Sequence, residues 1–179
     1  MTNESGKPKR AVIALGSNMG DPAWTVREAV RAVAELPSVY LIEAMSNVYR
    51  SEPAHVEDQD EFANAVMIVQ VEAGITAEQL LTDLQSVETA FGRLRHEHWG
   101  PRSLDLDIID FEGEVRESEF LKIPHPYALL RDFVVTPLLE IAPGYILADG
   151  CAVNHNAVQY GMIVGTWGDQ PERTEKSAI

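Results

Sequence analysis

The chain has 179 residues, enough for one domain with a substantial core. Its 45% hydrophobic and 23% charged content is that of an ordinary globular protein, neither disordered nor fibrous. A formal net charge of −14 excludes a general nucleic-acid or anionic-membrane binder, whose surface would be basic.

Cys151 is the sole cysteine, so no intramolecular disulfide can form, and it reads as a small structural residue near a turn. No apolar run approaches a membrane span, and residues 1–10 lack the apolar centre of a secretory signal. A cytoplasmic protein is the expectation. Residues 1–10 read as a flexible tail, 11–164 as a single domain and 165–179 as a disordered polar tail.

Residues 11–15 are an apolar run ending at Gly16, which predicts a buried strand. Asp21 suits an N-cap and Pro22 the first helical position, and Val26, Ala29, Val30, Val33 and Leu36 keep helical spacing to Pro37. Gly16-Ser17-Asn18 between them reads as turn-and-cap chemistry. Residues 40–50 read as one strand and 62–71 as another. The polar, acidic stretch 51–60 between them is too long for a tight hairpin and is either mobile or functional. Phe62 and Asn64, two apart, share one strand face. Thr76-Ala77-Glu78-Gln79 is a capping box opening a helix through Leu80, Leu81, Leu84, Val87 and Phe91, with Gly92 beyond its end. Gln85 and Glu88, three apart, share a helical face directed at the loop that follows; a solvated helix surface is the plain alternative.

The stretch from Gly92 to Asp110 concentrates the chemistry. Its first half is a basic, aromatic loop with Arg93, Arg95, His96, His98, Trp99 and Arg102, in a chain otherwise dominated by acid. Its second half alternates Leu104, Leu106 and Ile108, a half-buried strand that sends Asp105 and Asp107 out together on the other face. Two neighbouring carboxylates repel unless a cation lies between them. Mg²⁺ suits, since it is held by one or two carboxylates plus substrate phosphates, and the arginine forks suit the remaining phosphate oxygens. A merely solvated acidic face is the competing reading. Further on, Glu112-Gly113-Glu114 reads as a turn, His125 lies between two prolines, and residues 129–135 run Leu-Leu-Arg-Asp-Phe-Val-Val. The order strand, helix, strand, strand, helix, strand predicts an α+β, ferredoxin-like antiparallel sheet with its helices on one face, elaborated at the C-terminal end.

Arg93-x-Arg95 followed by Trp-Gly-Pro-Arg-Ser-Leu-Asp-Leu-Asp-Ile, residues 99–108, resembles the signature of the 6-hydroxymethyl-7,8-dihydropterin pyrophosphokinases. The resemblance runs in order from Gly16 to Pro143. It implies transfer of the terminal diphosphate of ATP to the hydroxymethyl oxygen of the pterin, with release of AMP, in folate biosynthesis. It implies two Mg²⁺ ions on Asp105 and Asp107. Arg93, Arg95 and Arg102 would be catalytic on the phosphates, with Trp99 excluding water. Gln85, Glu88, His125 and Arg131 would join those arginines around ATP. On the pterin side it implies rings at Phe62 and Phe133, an amide at Asn64 reading the pterin edge, and a moving loop with Ser51 and Pro53. Glu52 departs from the Thr-Pro-Pro common in that loop. Small-molecule substrates, no nucleic acid, no membrane and a monomer complete the expectation. Two other readings stay open: a different Mg²⁺-dependent enzyme on a nucleotide or phosphate ester, and a non-catalytic ferredoxin-like ligand-binding module.

Overall fold

Strand β1, Lys9–Ser17, is buried at every position from Ala11 onward. A run apolar on both sides of the pleat belongs to a strand covered on both faces, and the fold is built around that fact. The computed structural model describes residues 6–54, 58–92 and 103–168. Helix α1, Pro22–Ala34, begins where Asp21 Oδ1 accepts the Trp24 N–H at 3.1 Å, with proline in the first turn. Strands β2 (Val39–Met45), β3 (Tyr49–Ser51) and β4 (Phe62–Val71) follow. The capping box at Thr76 then opens α2, Ala77–Ala90. Strand β5 is Asp105–Phe111, and β6 (Arg116–Glu117) and β7 (Lys122–Ile123) make a small ribbon. A 3-10 turn at Ala128–Leu130 leads into α3, Asp132–Ile141, and β8 is Ile163–Thr166.

Among the described residues the main sheet has the order β5–β1–β4–β3–β8, with β2 also paired to β4, and every pairing is antiparallel. Two cores lie on its two faces. Odd-numbered residues of β1 and β4, with Leu104, Leu106 and Ile108, pack against α1 and α2. Val12, Ala14, Val66, Ile68 and Ile109 pack against Val134, Val135 and Leu138 of α3. The expectation of helices on one face is therefore corrected: α1 and α2 cover one side, and α3 covers the other.

The single strand expected over 40–50 is two strands. Ser46 divides them, because its Oγ accepts the Val66 N–H at 2.9 Å and so stands in for the ladder. Glu140 of α3 then holds the turn, accepting from Asn47 Nδ2 at 2.8 Å and from the Tyr49 hydroxyl at 2.6 Å. Burial first, and the hydrogen bond to Glu140 second, raise the Tyr49 pKa to about 12. At the C-terminal side the ordered fold continues past residue 164, where a tail was expected. Gly165 and Thr166 belong to β8, and the Trp167 N–H donates to Val48 O at 2.8 Å.

Candidate functional site

The α3-side face of the sheet carries the candidate site, at one end of three adjacent strands. Asp105 of β5 lies opposite Gly16 of β1, and Gly16 lies opposite Asn64 of β4. One step further in, Asp107 faces Ala14. Leu104 and Leu106 are buried on the α1/α2 side, so the pleat turns both carboxylates toward α3, half-buried. Gly16 has no side chain for a steric reason: a Cβ there would lie 2.9 Å from Asn64 Oδ1. Its absence lets the amide lie across β1, oriented by a hydrogen bond from Asn64 Nδ2 to Ser51 Oγ.

The rest of the Gly-Ser-Asn run frames the same corner. Ser17 Oγ donates to Ser103 O at 2.6 Å, anchoring the chain just before Asp105. Asn18 Nδ2 donates to Gln59 Oε1 at 3.0 Å, tying the turn after β1 to the segment before β4. Turn-and-cap chemistry missed all three roles, since each depends on a partner more than forty residues away. Gln85 and Glu88 do not share an environment as expected. Gln85 is exposed, whereas Glu88 is 2% exposed and its Oε1 accepts the Leu106 N–H at 2.8 Å. Leu106 lies between the two aspartates, so Glu88 braces the free edge of β5 where they stand.

A bulge at Ile109 shifts the β1–β5 register. Ile109 O accepts the His125 N–H at 2.8 Å, which brings the imidazole beside the acidic pair. His125 Nδ1 accepts the Tyr127 N–H at 3.2 Å, so the neutral ring carries its proton on Nε2. Burial pulls its pKa down to about 4, the Arg131 charge adds to this, and Asp105 opposes it. At neutral pH His125 is thus an uncharged N–H donor.

Arg131, at the entrance to α3, is 8% exposed, with Nη1 3.9 Å from Asp107 Oδ2. Its guanidinium lies 5.5 Å from the Tyr127 ring centre and 5.6 Å from that of Phe133, and its Nε has no hydrogen-bond partner among the described residues. A buried cation with an unmatched donor is suited to an anion. Beyond Asp107, at the β5 edge, a cavity of about 250 Å³ opens between Leu81, Ile108, Leu121 and His125. Phe62 is half-buried in β4, Phe133 half-buried in the first turn of α3, and Pro53 half-buried after β3; Ser51 is fully buried and supports the Asn64 amide. Arg93, Arg95, Trp99 and Arg102 lie outside the described residues.

Two half-buried carboxylates at an open strand end fit Mg²⁺ completed by phosphate oxygens. Among the described residues no third acidic or histidine ligand gathers with them to form an all-protein cage. The family model of 7,8-dihydro-6-hydroxymethylpterin-pyrophosphokinase (HPPK) matches residues 12–143, from the second apolar residue of β1 to just past α3. The chain belongs to this family. Similar curated HPPK proteins include the 2-amino-4-hydroxy-6-hydroxymethyldihydropteridine pyrophosphokinase of Haemophilus influenzae, 36% identical over 84% of this chain and 92% of that one. Its namesake from Methylorubrum extorquens is 40% identical over 77% of this chain and 85% of that one. Among solved structures, wild-type Plasmodium falciparum HPPK-DHPS with pteroate aligns at a TM-score of 0.62 and 14% identity, over 88% of this chain and 42% of that one. At that identity the likeness speaks for the HPPK fold alone, and this chain spans about two fifths of the longer one. No helix among the described residues is long and apolar enough to cross a membrane.

Proposed function

We propose that the chain is an ATP-dependent pyrophosphokinase that moves the terminal diphosphate of ATP to the hydroxymethyl group of 6-hydroxymethyl-7,8-dihydropterin and releases AMP. Membership of the family and the names of relatives 36–40% identical support it. The observation that carries it is the row Asp105–Gly16–Asn64, with acid on one flank and an oriented amide on the other. The strand order β5–β1–β4–β2, with α1 and α2 on one face, supports reading the scaffold as ferredoxin-like.

On the phosphate side, Asp105 and Asp107 would hold two Mg²⁺ ions. When bound, these would neutralise the diphosphate and favour loss of the proton from the attacking hydroxyl. Arg131 offers its buried guanidinium to phosphate oxygens, and His125 donates from Nε2 without adding charge. The cavity beside Leu81 and Ile108 receives the nucleotide base, and Gln85, exposed one turn beyond Leu81 on α2, contributes to ATP binding. Glu88 acts through the Leu106 backbone, keeping the aspartate pair in register. Arg93, Arg95 and Arg102 supply the remaining positive charge, and Trp99 excludes water.

On the pterin side, Phe62 and Phe133 give the stacking surfaces. Asn64 reads the donor–acceptor edge, held by Ser51, and Pro53 borders the entrance. Small-molecule substrates, a monomer and a cytoplasmic location belong to the same reading. The test is a coupled assay with the hydroxymethyl pterin, ATP and Mg²⁺. AMP appearing one-for-one with diphosphorylated pterin is expected; ADP or free phosphate as the product would overturn it.

A further inference from the structure

Phe133 meets the chain again from an unexpected direction. Gly161 is buried at a φ of 66°, and a Cβ built on it would lie 2.3 Å from Phe133 Cδ1, 2.4 Å from Cε1 and 3.6 Å from Cγ. Two near-equal short distances with a much longer third put Gly161 against the edge of the ring, in its plane. The ring faces are not what it covers. The contact blocks sideways displacement of the ring toward Gly161 and leaves its faces to other groups.

Asp132, the residue before Phe133, holds this contact in place. Its N–H donates to Tyr160 O at 3.1 Å, and its Oδ2 accepts the Ile163 N–H at 2.9 Å, bracketing Gly161 on both sides. Its other oxygen accepts the Thr136 hydroxyl at 2.6 Å. Thr136 Oγ1 lies 2.9 Å from His155 Nε2, so the carboxylate is fixed from behind. Leu130 O accepts the Gln159 N–H at 2.9 Å, adding a further tie to the entrance of α3. All of residues 158–163 lie beyond the 12–143 span matched by the family model.

We infer that residues 160–163 form a stop that sets the position of the Phe133 ring, with Asp132 as the positioning residue and Gly161 as the contact. The inference rests on the reading that Phe133 stacks on the pterin. A ring already held in its stacking position loses less freedom on binding, so the stop acts on pterin affinity and not on ATP. A segment outside the family's matched span thereby tunes how this chain holds its acceptor substrate.

The experiment measures pterin and ATP-analogue dissociation constants by calorimetry, with Mg²⁺ present, for Gly161→Ala, Phe133→Ala and the double variant. Gly161→Ala should weaken pterin binding by about three- to tenfold, the scale of one aromatic contact, with ATP-analogue affinity unchanged. In the Phe133→Ala background the same change should have no further effect, since the ring it acts through is gone. Asp132→Ala should reproduce the loss, while Asp132→Asn, which keeps an acceptor for the Ile163 N–H, should restore most of it; this pair carries the test if Gly161→Ala does not fold. An equal effect of Gly161→Ala in both backgrounds, or parallel loss of both ligands, overturns the stop. Phe133→Ala with unchanged pterin binding would instead overturn the stacking reading beneath it.

Discussion

Beside Gly16, Asp105 and Asp107 of β5 stay half-buried near Arg131 and His125, whereas Asp110 at the other end of the strand is 2% exposed. Asp110 accepts the Tyr145 hydroxyl at 2.8 Å and the Ala148 N–H at 3.0 Å. Burial raises its pKa, with those hydrogen bonds pulling the other way. Residue type and strand are the same, so the surroundings decide the role. The bulge at Ile109 marks the change: before it the carboxylates look onto an open end, after it the chain following α3 closes over them. A carboxylate enclosed by the fold holds structure together, and one half-buried at a strand end is placed to meet a ligand.

The largest expected effect is on activity at the open end. Asp107→Asn should lower diphosphate transfer by roughly a hundredfold or more, while thermal stability without metal stays within about 1 kcal/mol of wild type. Melting curves and AMP-release rates on one preparation check it. A variant that melts far below wild type yet turns over normally would make Asp107 an equivalent of Asp110.

At the closed end the pattern should reverse. Asp110→Ala leaves the Tyr145 hydroxyl and the Ala148 N–H without their acceptor, at a cost of about 2–4 kcal/mol, with turnover per folded molecule retained. Urea denaturation paired with active-site titration measures both.

The two ends should also differ in the sign of their pH dependence. His125 is depressed to about 4 in the folded protein. As pH falls from about 6.5 to about 4, the unfolded chain takes up a proton that the native ring does not. Its contribution is complete above that window and lost within it, roughly 3 kcal/mol at most. Asp110 is shifted upward, so its contribution is present at low pH and fades as pH rises through its folded value. Denaturant unfolding of metal-free protein across pH 4–7 should show stability rising with pH, and His125→Gln should flatten the rise. An unchanged slope would remove His125 as its source.

The smallest effect sharpens the boundary between acid and amide. Gly16→Ala places a Cβ 2.9 Å from Asn64 Oδ1 and should displace the amide, weakening pterin binding by about tenfold or about 1–2 kcal/mol. ATP-analogue affinity should hold, because the Asp105 side of the row is untouched. Equal loss of both ligands would mean that the row is one site and not two.

How much of this was legible in the sequence follows from which interactions are local. A half-buried strand writes its pleat into the chain, so the shared face of Asp105 and Asp107 could be read from Leu104, Leu106 and Ile108. The same holds for α1 and the capping box of α2, whose signals span only a few residues. Helical spacing gave Gln85 and Glu88 a common direction but not a depth, and depth is set by how close β5 lies to α2. The position of α3 was half-written: residues 11–15 are apolar on both faces, which calls for a second cover without naming it. Ser46 ending β2, the bulge at Ile109 and β8 pairing with β3 have no local signature, because each is defined by a partner strand.

The row Asp105–Gly16–Asn64 turns the sheet into a ruler. Two strand spacings, about 10 Å, separate the backbone of the acidic corner from that of the amide. That interval is graduated in backbone hydrogen bonds, which no side-chain replacement recalibrates while the strands remain paired. On the proposed assignment, in which β4 reads the acceptor and β5 holds the donor, a change of side chain on β4 leaves the interval to β5 as it was.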